Sequence, residues 1–180
     1  MTDHVLIFRE LRESDFDLLY GMFSNDDVMR YTVFETCQTE SEFQAVLDEL
    51  LGHNQTGLQE SHVYAVFEHH RFVGLGILEV SCKNACGGCG EIGYLLMPEY
   101  WGKGYATRIA QRLLAVGFED IGLHRIYALC NQMNTASEKV MQKIGMVKEG
   151  ELRKKRFKLG QWHNELCYAM LDHEWRRNIK

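Results

Sequence analysis

The chain has 180 residues, a length that suits one domain with its own hydrophobic core and does not require two. Hydrophobic residues make up 46% and charged residues 25%, the balance of an ordinary soluble globular protein. A formal net charge of −5 argues against a surface coated in basic groups for nucleic acid, and no apolar run approaches the roughly 20 residues of a membrane span.

The opening MTDHVLIFRELRESD sets an acid before a short apolar run, which is not the pattern of a signal peptide. The six cysteines therefore read most simply as reduced thiols of a cytoplasmic protein. VLIFREL (5–11) predicts a strand. Ser14 follows as N-cap of a helix that carries Phe16, Leu19, Tyr20 and Phe23 at helical spacing. A second helix is expected over 40–51, with Phe43, Val46, Leu47 and Leu50 on one face. HVYAVFE (62–68) and RFVGLGILEV (71–80) predict two strands joined by a tight turn at His69-His70, a solvent-facing pair. EIGYLLM (91–97) predicts another strand, ended by Pro98, the only proline. Beyond it, Ala106, Ile109, Ala110, Leu113, Leu114 and Gly117 form the apolar stripe of an amphipathic helix. LHRIYALC (123–130) predicts a buried strand. NTASEKVMQKIG (134–145) predicts a helix with Asn134 as N-cap and Gly145 at its C-terminal end. The remainder predicts two strands around a Lys158–Gln161 turn. The order is strand, two helices, three strands, helix, strand, helix, two strands, which is a mixed α/β sheet. No repeat or linker marks a boundary, so 1–180 reads as one domain.

Between a strand and the N-terminus of the amphipathic helix lies Trp101-Gly102-Lys103-Gly104-Tyr105-Ala106-Thr107. Gly102 and Gly104 remove side chains where the backbone turns sharply, and the free N–H groups of the helix's first turn suit a phosphate. The alternative is a glycine turn that holds nothing. A dinucleotide fingerprint would need a third glycine where Thr107 stands, and a P-loop would need Gly-Lys-Ser/Thr, whereas Lys103 is followed by Gly104. Both nucleotide readings fail.

EIGYLLMPEYWGKGYATRIA, followed by NxxNxxSxxVMxKIGM, resembles the GNAT superfamily of N-acetyltransferases. The opening FRELRESDFDLLYGMFSNDDVMRY extends the resemblance to the branch that includes ribosomal-protein N-terminal (alanine/serine) acetyltransferases. The resemblance implies an acyl-CoA N-acyltransferase fold, with a mixed, mostly antiparallel, splayed sheet flanked by helices. It implies acetyl-CoA as co-substrate, no metal, and a primary-amine acceptor: a protein N-terminal α-amine such as a ribosomal protein's, or a small molecule. No direct nucleic-acid or membrane contact is implied, and the protein would be a monomer or homodimer. The family's pyrophosphate loop maps onto Trp101, Gly102, Lys103, Gly104, Tyr105 and Ala106, with Thr107 next. Its first position departs, Trp101 replacing Arg or Gln. Leu96 and Met97 would hydrogen-bond the pantetheine arm, joined by the Asn134 side chain.

The same resemblance makes Glu91, expected to open the central strand, the general base; a burying environment would raise its pKa toward useful basicity. The alternative is a glutamate that caps a strand end. Family members often carry a tyrosine general acid, but its slot here is Met141, which leaves Ser137 or a water to protonate the departing thiolate. Ser137 reads equally as an ordinary helix serine. Cys130 could carry an acetyl group in principle, but its place at the end of an apolar strand reads as core. RKKRFK (153–158) follows Glu149 and Glu151 and reads as a solvated strand with at most a minor part in binding CoA phosphates or an acidic acceptor.

Cys82, Cys86 and Cys89 stand in a C-x3-C-x2-C pattern, a spacing that can wrap an iron–sulfur cluster or contribute to a zinc site. They are expected in a loop between a strand ending near Val80 and one starting at Glu91. A chain of 180 residues cannot form the large barrel that carries such a motif in radical enzymes, and a fourth zinc ligand is missing nearby. A loop of exposed thiols, able to cross-link chains when oxidised, is the expectation. The alternative function is a CoA-binding or metal-sensing module without turnover that uses this loop.

Overall fold

In the computed structural model the described residues, 5–53, 61–84 and 87–178, build on one seven-stranded sheet. Its strands are β1 (Leu6–Glu10), β2 (Ser61–Glu68), β3 (Arg71–Asn84), β4 (Gly87–Leu96), β5 (Arg125–Asn131), β6 (Val147–Lys158) and β7 (Gln161–Leu171). They lie in the order β1-β2-β3-β4-β5-β7-β6, and every neighbouring pair is antiparallel except β4 with β5. This is the mixed, mostly antiparallel sheet expected from the sequence.

Strand alternation sends two apolar sets to opposite faces. Val63, Ala65, Leu75, Ile77 and Leu95 bury with Leu19, Phe23, Phe43 and Leu47, which come from α1 (Phe16–Phe23) and α3 (Glu40–His53). Leu78, Ile92, Ile126, Ala128, Leu166 and Met170 bury with Ile109, Leu113, Leu114 and Met141, which come from α4 (Tyr105–Ala115) and α5 (Thr135–Lys143). Between α1 and α3 lies α2 (Asp26–Met29), and α6 (Asp172–Asn178) follows β7. Neither was expected, because helices of four and seven residues are too short to show a period. Side-chain chemistry marks α2 instead: Asn25 Oδ1 accepts the N–H groups of Asp27 and Val28 at 3.0 and 3.3 Å.

Four expectations need correction. Ser14 is exposed inside a 3-10 turn, Glu13–Asp15; buried Asp15 takes the structural role, accepting the Arg12 N–H at 2.9 Å and pairing with Arg9 at 2.7 and 3.0 Å. The cysteine stretch is no loop between 80 and 91: β3 reaches Asn84, β4 begins at Gly87, and Cys82 pairs with Cys89 across the hairpin. Cys86 lies outside the described residues. Glycine at 88 is a condition of this close pairing, since a Cβ there would stand 2.1 Å from the Cys82 carbonyl oxygen. Glu91 consequently lies in the middle of β4 rather than at its start.

The basic run is not simply a solvated strand. The β6–β7 register shifts between Leu152 and Arg156, leaving Arg153, Lys154 and Lys155 exposed. Arg156 then pairs with Glu165 at 2.6 Å, and Lys158 is buried, donating to the carbonyls of Met29 at 2.8 Å, Thr32 at 3.1 Å and Phe34. An ammonium with three carbonyl acceptors ties the β6–β7 hairpin to the segment after α2.

Gly74, on β3, faces the end of β4 so closely that a Cβ there would stand 2.0 Å from the Leu95 carbonyl oxygen and 2.9 Å from Leu96 Cα. Both obstacles are backbone and cannot rotate away. Gly74→Ala is expected to destabilise the chain by about 1–3 kcal/mol, as overpacking does. Urea unfolding measures this, and an unchanged midpoint would contradict the packing described.

Candidate active site

Strands β4 and β5 run side by side over three paired positions only: Cys89–Arg125, Gly90–Ile126 and Glu91–Tyr127. Beyond them β4 follows β3 as far as Leu96, while β5 follows β7 as far as Asn131. A wedge-shaped gap therefore opens just after Glu91 and Tyr127. The Met97 N–H donates to the Val73 carbonyl at 3.0 Å, which sets the alternation along this stretch. Peptide groups of residues 93, 95 and 97 face β3, and those of Tyr94 and Leu96 face the gap. Met97 is doubly engaged, since its carbonyl also accepts the Tyr100 N–H at 3.0 Å.

At the far end of β4 comes the glycine turn. Gly102 and Gly104 have φ of 71° and 85°, the left-handed region that glycine enters without strain. Gly104 is the N-cap of α4, and its carbonyl accepts the Arg108 N–H at 3.2 Å. The N–H groups of Tyr105, Ala106 and Thr107 have no acceptor within the helix, and the positive end of the helix dipole lies behind them. Residues 101–104, including Lys103, are exposed, so an anion can approach without displacing any core side chain. Beneath the turn Tyr105 is anchored: its hydroxyl donates to Glu68 at 2.7 Å and its ring packs edge-on against Tyr100 at 5.1 Å. Trp101 Nε1 donates to the Leu96 carbonyl at 2.9 Å, tying the turn to the end of β4. These groups fit a phosphate-bearing ligand whose arm runs along β4 into the gap.

On the α1–α3 face of the sheet, Glu91 is half-buried with its cross-strand partner Tyr127 beside it, the phenol placed to donate to the carboxylate. Burial pushes its carboxyl above the usual range; the Tyr127 bond pulls it down, Glu79 and Glu165 push it up again, and Arg156 opposes them. On the α5 face, the Tyr94 hydroxyl lies 2.9 Å from Ser137 Oγ and 3.2 Å from the Ser137 carbonyl. Burial raises the Tyr94 hydroxyl well above its ordinary value, so it stays protonated at neutral pH. Asn134 Oδ1 accepts the Ser137 N–H at 3.1 Å, which leaves only the Asn134 NH₂ to donate to a ligand. Met141 is fully buried. Cys130 is buried too, and burial pushes its thiol up to about 12, with Glu138 and Glu165 adding to the rise, so it is no thiolate near neutral pH.

The gap thus collects Glu91, Leu96 and, through Tyr94, Ser137, while 101–107 lie at the end of β4. Sequence patterns missed Tyr94, Tyr127 and Glu79. The only trace of Tyr127 and Glu79 was alternation, which puts both on the face of Glu91; Tyr94 meets Ser137 across 43 positions, beyond the reach of any local pattern. Among the described residues no group of three or more His, Cys, Asp or Glu is arranged to hold a metal ion. None of their helices is long and apolar enough to cross a membrane.

A sheet that parts beside a half-buried carboxylate, with a glycine turn at a helix N-terminus, is the arrangement of an acyl-CoA N-acyltransferase. Residues 5–147 match the acetyltransferase (GNAT) domain model, and the chain belongs to that family. The uncharacterized N-acetyltransferase YnaD of Bacillus subtilis is 32% identical over 186 residues, covering 97% of this chain and 98% of that protein. The fold matches that of a spermidine N-acetyltransferase from Vibrio cholerae, solved with CoA and spermine, at a TM-score of 0.80, with 22% identity over 95% of this chain and 98% of that one. It matches the ribosomal-protein-S5-alanine acetyltransferase of Vibrio fischeri equally well, at a TM-score of 0.80 and 23% identity, covering 97% of each chain. The protein is an N-acetyltransferase that uses acetyl-CoA and an amine, which sets aside a module without turnover.

The raised pKa of Glu91 has a stability consequence whose sign is fixed. The folded chain holds the proton more tightly than the unfolded chain, so this stabilisation is complete below the unfolded carboxylate range and lost as pH rises through the folded pKa. Ionised Glu91 is therefore a net burden near neutrality, and Glu91→Gln is expected to raise the Tm at pH 7.5. The advantage should shrink on acidification toward pH ~4, where wild-type Glu91 is protonated as well. Thermal melts at the two pH values check this; a lower Tm for the variant at pH 7.5 would contradict it.

Proposed function

We propose that this chain transfers the acetyl group of acetyl-CoA directly to a primary amine carried by a small polycation, with Glu91 as general base. The observation that carries the reading is the charge around the gap: Glu79 and Glu165 both act on Glu91, with Arg156 as the opposing cation. An acceptor arriving as an ammonium is drawn to such a site and must lose its proton there.

Acetyl-CoA supplies the activated thioester. Its diphosphate suits the backbone N–H groups of Gly102, Lys103, Gly104, Tyr105, Ala106 and Thr107, with Trp101 flanking. The Tyr94 peptide group and the Leu96 N–H face the gap and take the amides of the arm together with the Asn134 NH₂; the Leu96 carbonyl is held by Trp101, and Met97, already engaged on both sides, serves as apolar wall. Glu91 takes the acceptor's proton from the α1–α3 face. From the opposite face Ser137, oriented by Tyr94, offers the hydroxyl that hydrogen-bonds the departing sulfur. Tyr94 thereby supplies from β4 the phenol that α5 lacks at Met141. The ribosomal N-terminus is the competing acceptor, supported by the sequence resemblance and by the fold shared with an S5-alanine enzyme.

Release of free CoA thiol, followed with spermidine and with a peptide bearing a free N-terminal serine, tests the reading. Spermidine is expected to give the higher kcat/KM by at least about tenfold, roughly what one well-placed charge contact contributes. Turnover of the peptide alone would overturn the acceptor class and leave acetyl transfer standing. Thiol release no faster than hydrolysis with any amine would overturn both.

Two variants separate holding from chemistry. Gly104→Ala should remove most of the Tm rise that acetyl-CoA produces by mass action, because its Cβ stands where phosphate oxygens approach the turn. An undiminished rise would move the diphosphate elsewhere. Glu91→Gln should keep that rise while turnover falls about 10²–10⁴-fold, partly recovered at higher pH as the acceptor arrives deprotonated. Equal loss of binding and turnover would make Glu91 a structural residue.

A further inference from the structure

Cys82 and Cys89 are thiols that acetyl transfer leaves unused. They are direct partners across the β3–β4 hairpin. Such partners carry their side chains on one face with Cα atoms about 4.5–5.5 Å apart, inside the roughly 4.4–6.8 Å over which a disulfide closes. The Cys82 side chain also raises the Cys89 thiol, as a directly facing neighbour does. Cys82 is exposed and Cys89 half-buried, whereas Cys37 and Cys130 are buried. The register shifts between Val80 and Cys82, and the bulge lends this stretch the backbone adjustment that a cross-link needs.

The surroundings connect the pair to the active site. Cys89 lies two residues before Glu91 on the same face of β4, and its partner on β5 is Arg125, inside the short stretch where β4 and β5 still pair. The Ser81 hydroxyl donates to the Cys89 carbonyl at 3.2 Å. The Ser81 hydroxyl also lies beside the Tyr127 phenol, which neighbours Glu91. A covalent brace here sits beside the groups that surround the carboxylate.

We propose that Cys82 and Cys89 form a reversible modification site, closing into a disulfide by exchange with a low-molecular-weight disulfide, RSSR. Exposed Cys82 reacts first: its thiol gives up a proton, the thiolate attacks one sulfur of RSSR, and the leaving RS⁻ takes up a proton as RSH. Cys89 then loses its proton and attacks the Cys82 sulfur of the mixed disulfide, forming the protein S–S bond and releasing the second RS⁻, protonated in turn. Two protein thiols are oxidised, and one RSSR is reduced to two RSH. Burial holds the Cys89 thiol above its ordinary value, which suits the second, intramolecular step, where proximity offsets a low thiolate fraction.

The test is independent of the acceptor and of acetyl transfer. The reduced 180-residue chain is incubated with glutathione disulfide at pH ~8, quenched with acid and weighed intact, then digested with trypsin, which cuts after Lys83 between the two cysteines. Expected are a mass loss of about 2 Da, reversed by dithiothreitol, and covalent linkage of peptides 72–83 and 84–103. Cys86→Ser should retain the link, and Cys89→Ser should accumulate a glutathione adduct on Cys82 instead. The cross-linked wild type should also melt several degrees higher than the reduced protein. A Cys86→Ser chain that gathers only glutathione adducts would overturn the proposal. So would a Cys89→Ser chain that still links the two peptides.

Discussion

Everything in the site depends on β4 and β5 being partners for three residues and no more. Each strand keeps its other neighbour, so the sheet is continuous on both sides of the opening, and the gap needs no unravelled strand. The peptide groups of Tyr94 and Leu96 point into that gap. Backbone N–H and C=O groups demand partners when they are buried, and an extended ligand with alternating amides can satisfy them as a strand would. The parting thus leaves a strand edge open to a ligand, with a half-buried carboxylate at its closed end.

The two faces of the sheet then divide the labour. Helices α4 and α5 close one face over a core shared by strands from both sides of the gap, which keeps the two halves in fixed relation. Tyr94 and Ser137 belong to that side. On the other face α1 and α3 cover β2, β3 and the upper part of β4, while Glu91, Tyr127 and Glu165 lie beyond that cover. Lys158 links the β6–β7 hairpin to the segment after α2, tying together the two walls that flank this side. A proton acceptor on one face and a hydroxyl donor on the other suit a reaction in which nucleophile and leaving group occupy opposite sides of a carbonyl.

What could be read from the residues alone was local. The stripe Ile109, Ala110, Leu113, Leu114 announced α4, and two glycines before it announced a turn open to an anion. Asn134 was visible as a cap because capping acts over three residues, and it accepts the Ser137 N–H as such a cap should. Pairings between distant segments left no such mark. Lys158 looked like one more surface cation in a basic run until its three carbonyl partners, more than 120 positions away, came into view. Tyr94 looked like any aromatic of a strand. The cysteine stretch misled for a physical reason: Gly87, Gly88 and Gly90 signal loops by composition, yet here they allow two strands to close tightly enough to bring Cys82 and Cys89 together.

Amide hydrogen exchange, read residue by residue with and without acetyl-CoA, tests the parted sheet most directly. If the open edge of β4 takes the place of the missing strand contacts, acetyl-CoA slows exchange at the Tyr94 and Leu96 amides and at the first-turn amides of α4. The Met97 amide, already bonded to Val73, keeps its rate apart from any global stabilisation. Protection at the helix turn with none at Tyr94 and Leu96 would mean that the arm does not run through the gap, and the account of the site would fail.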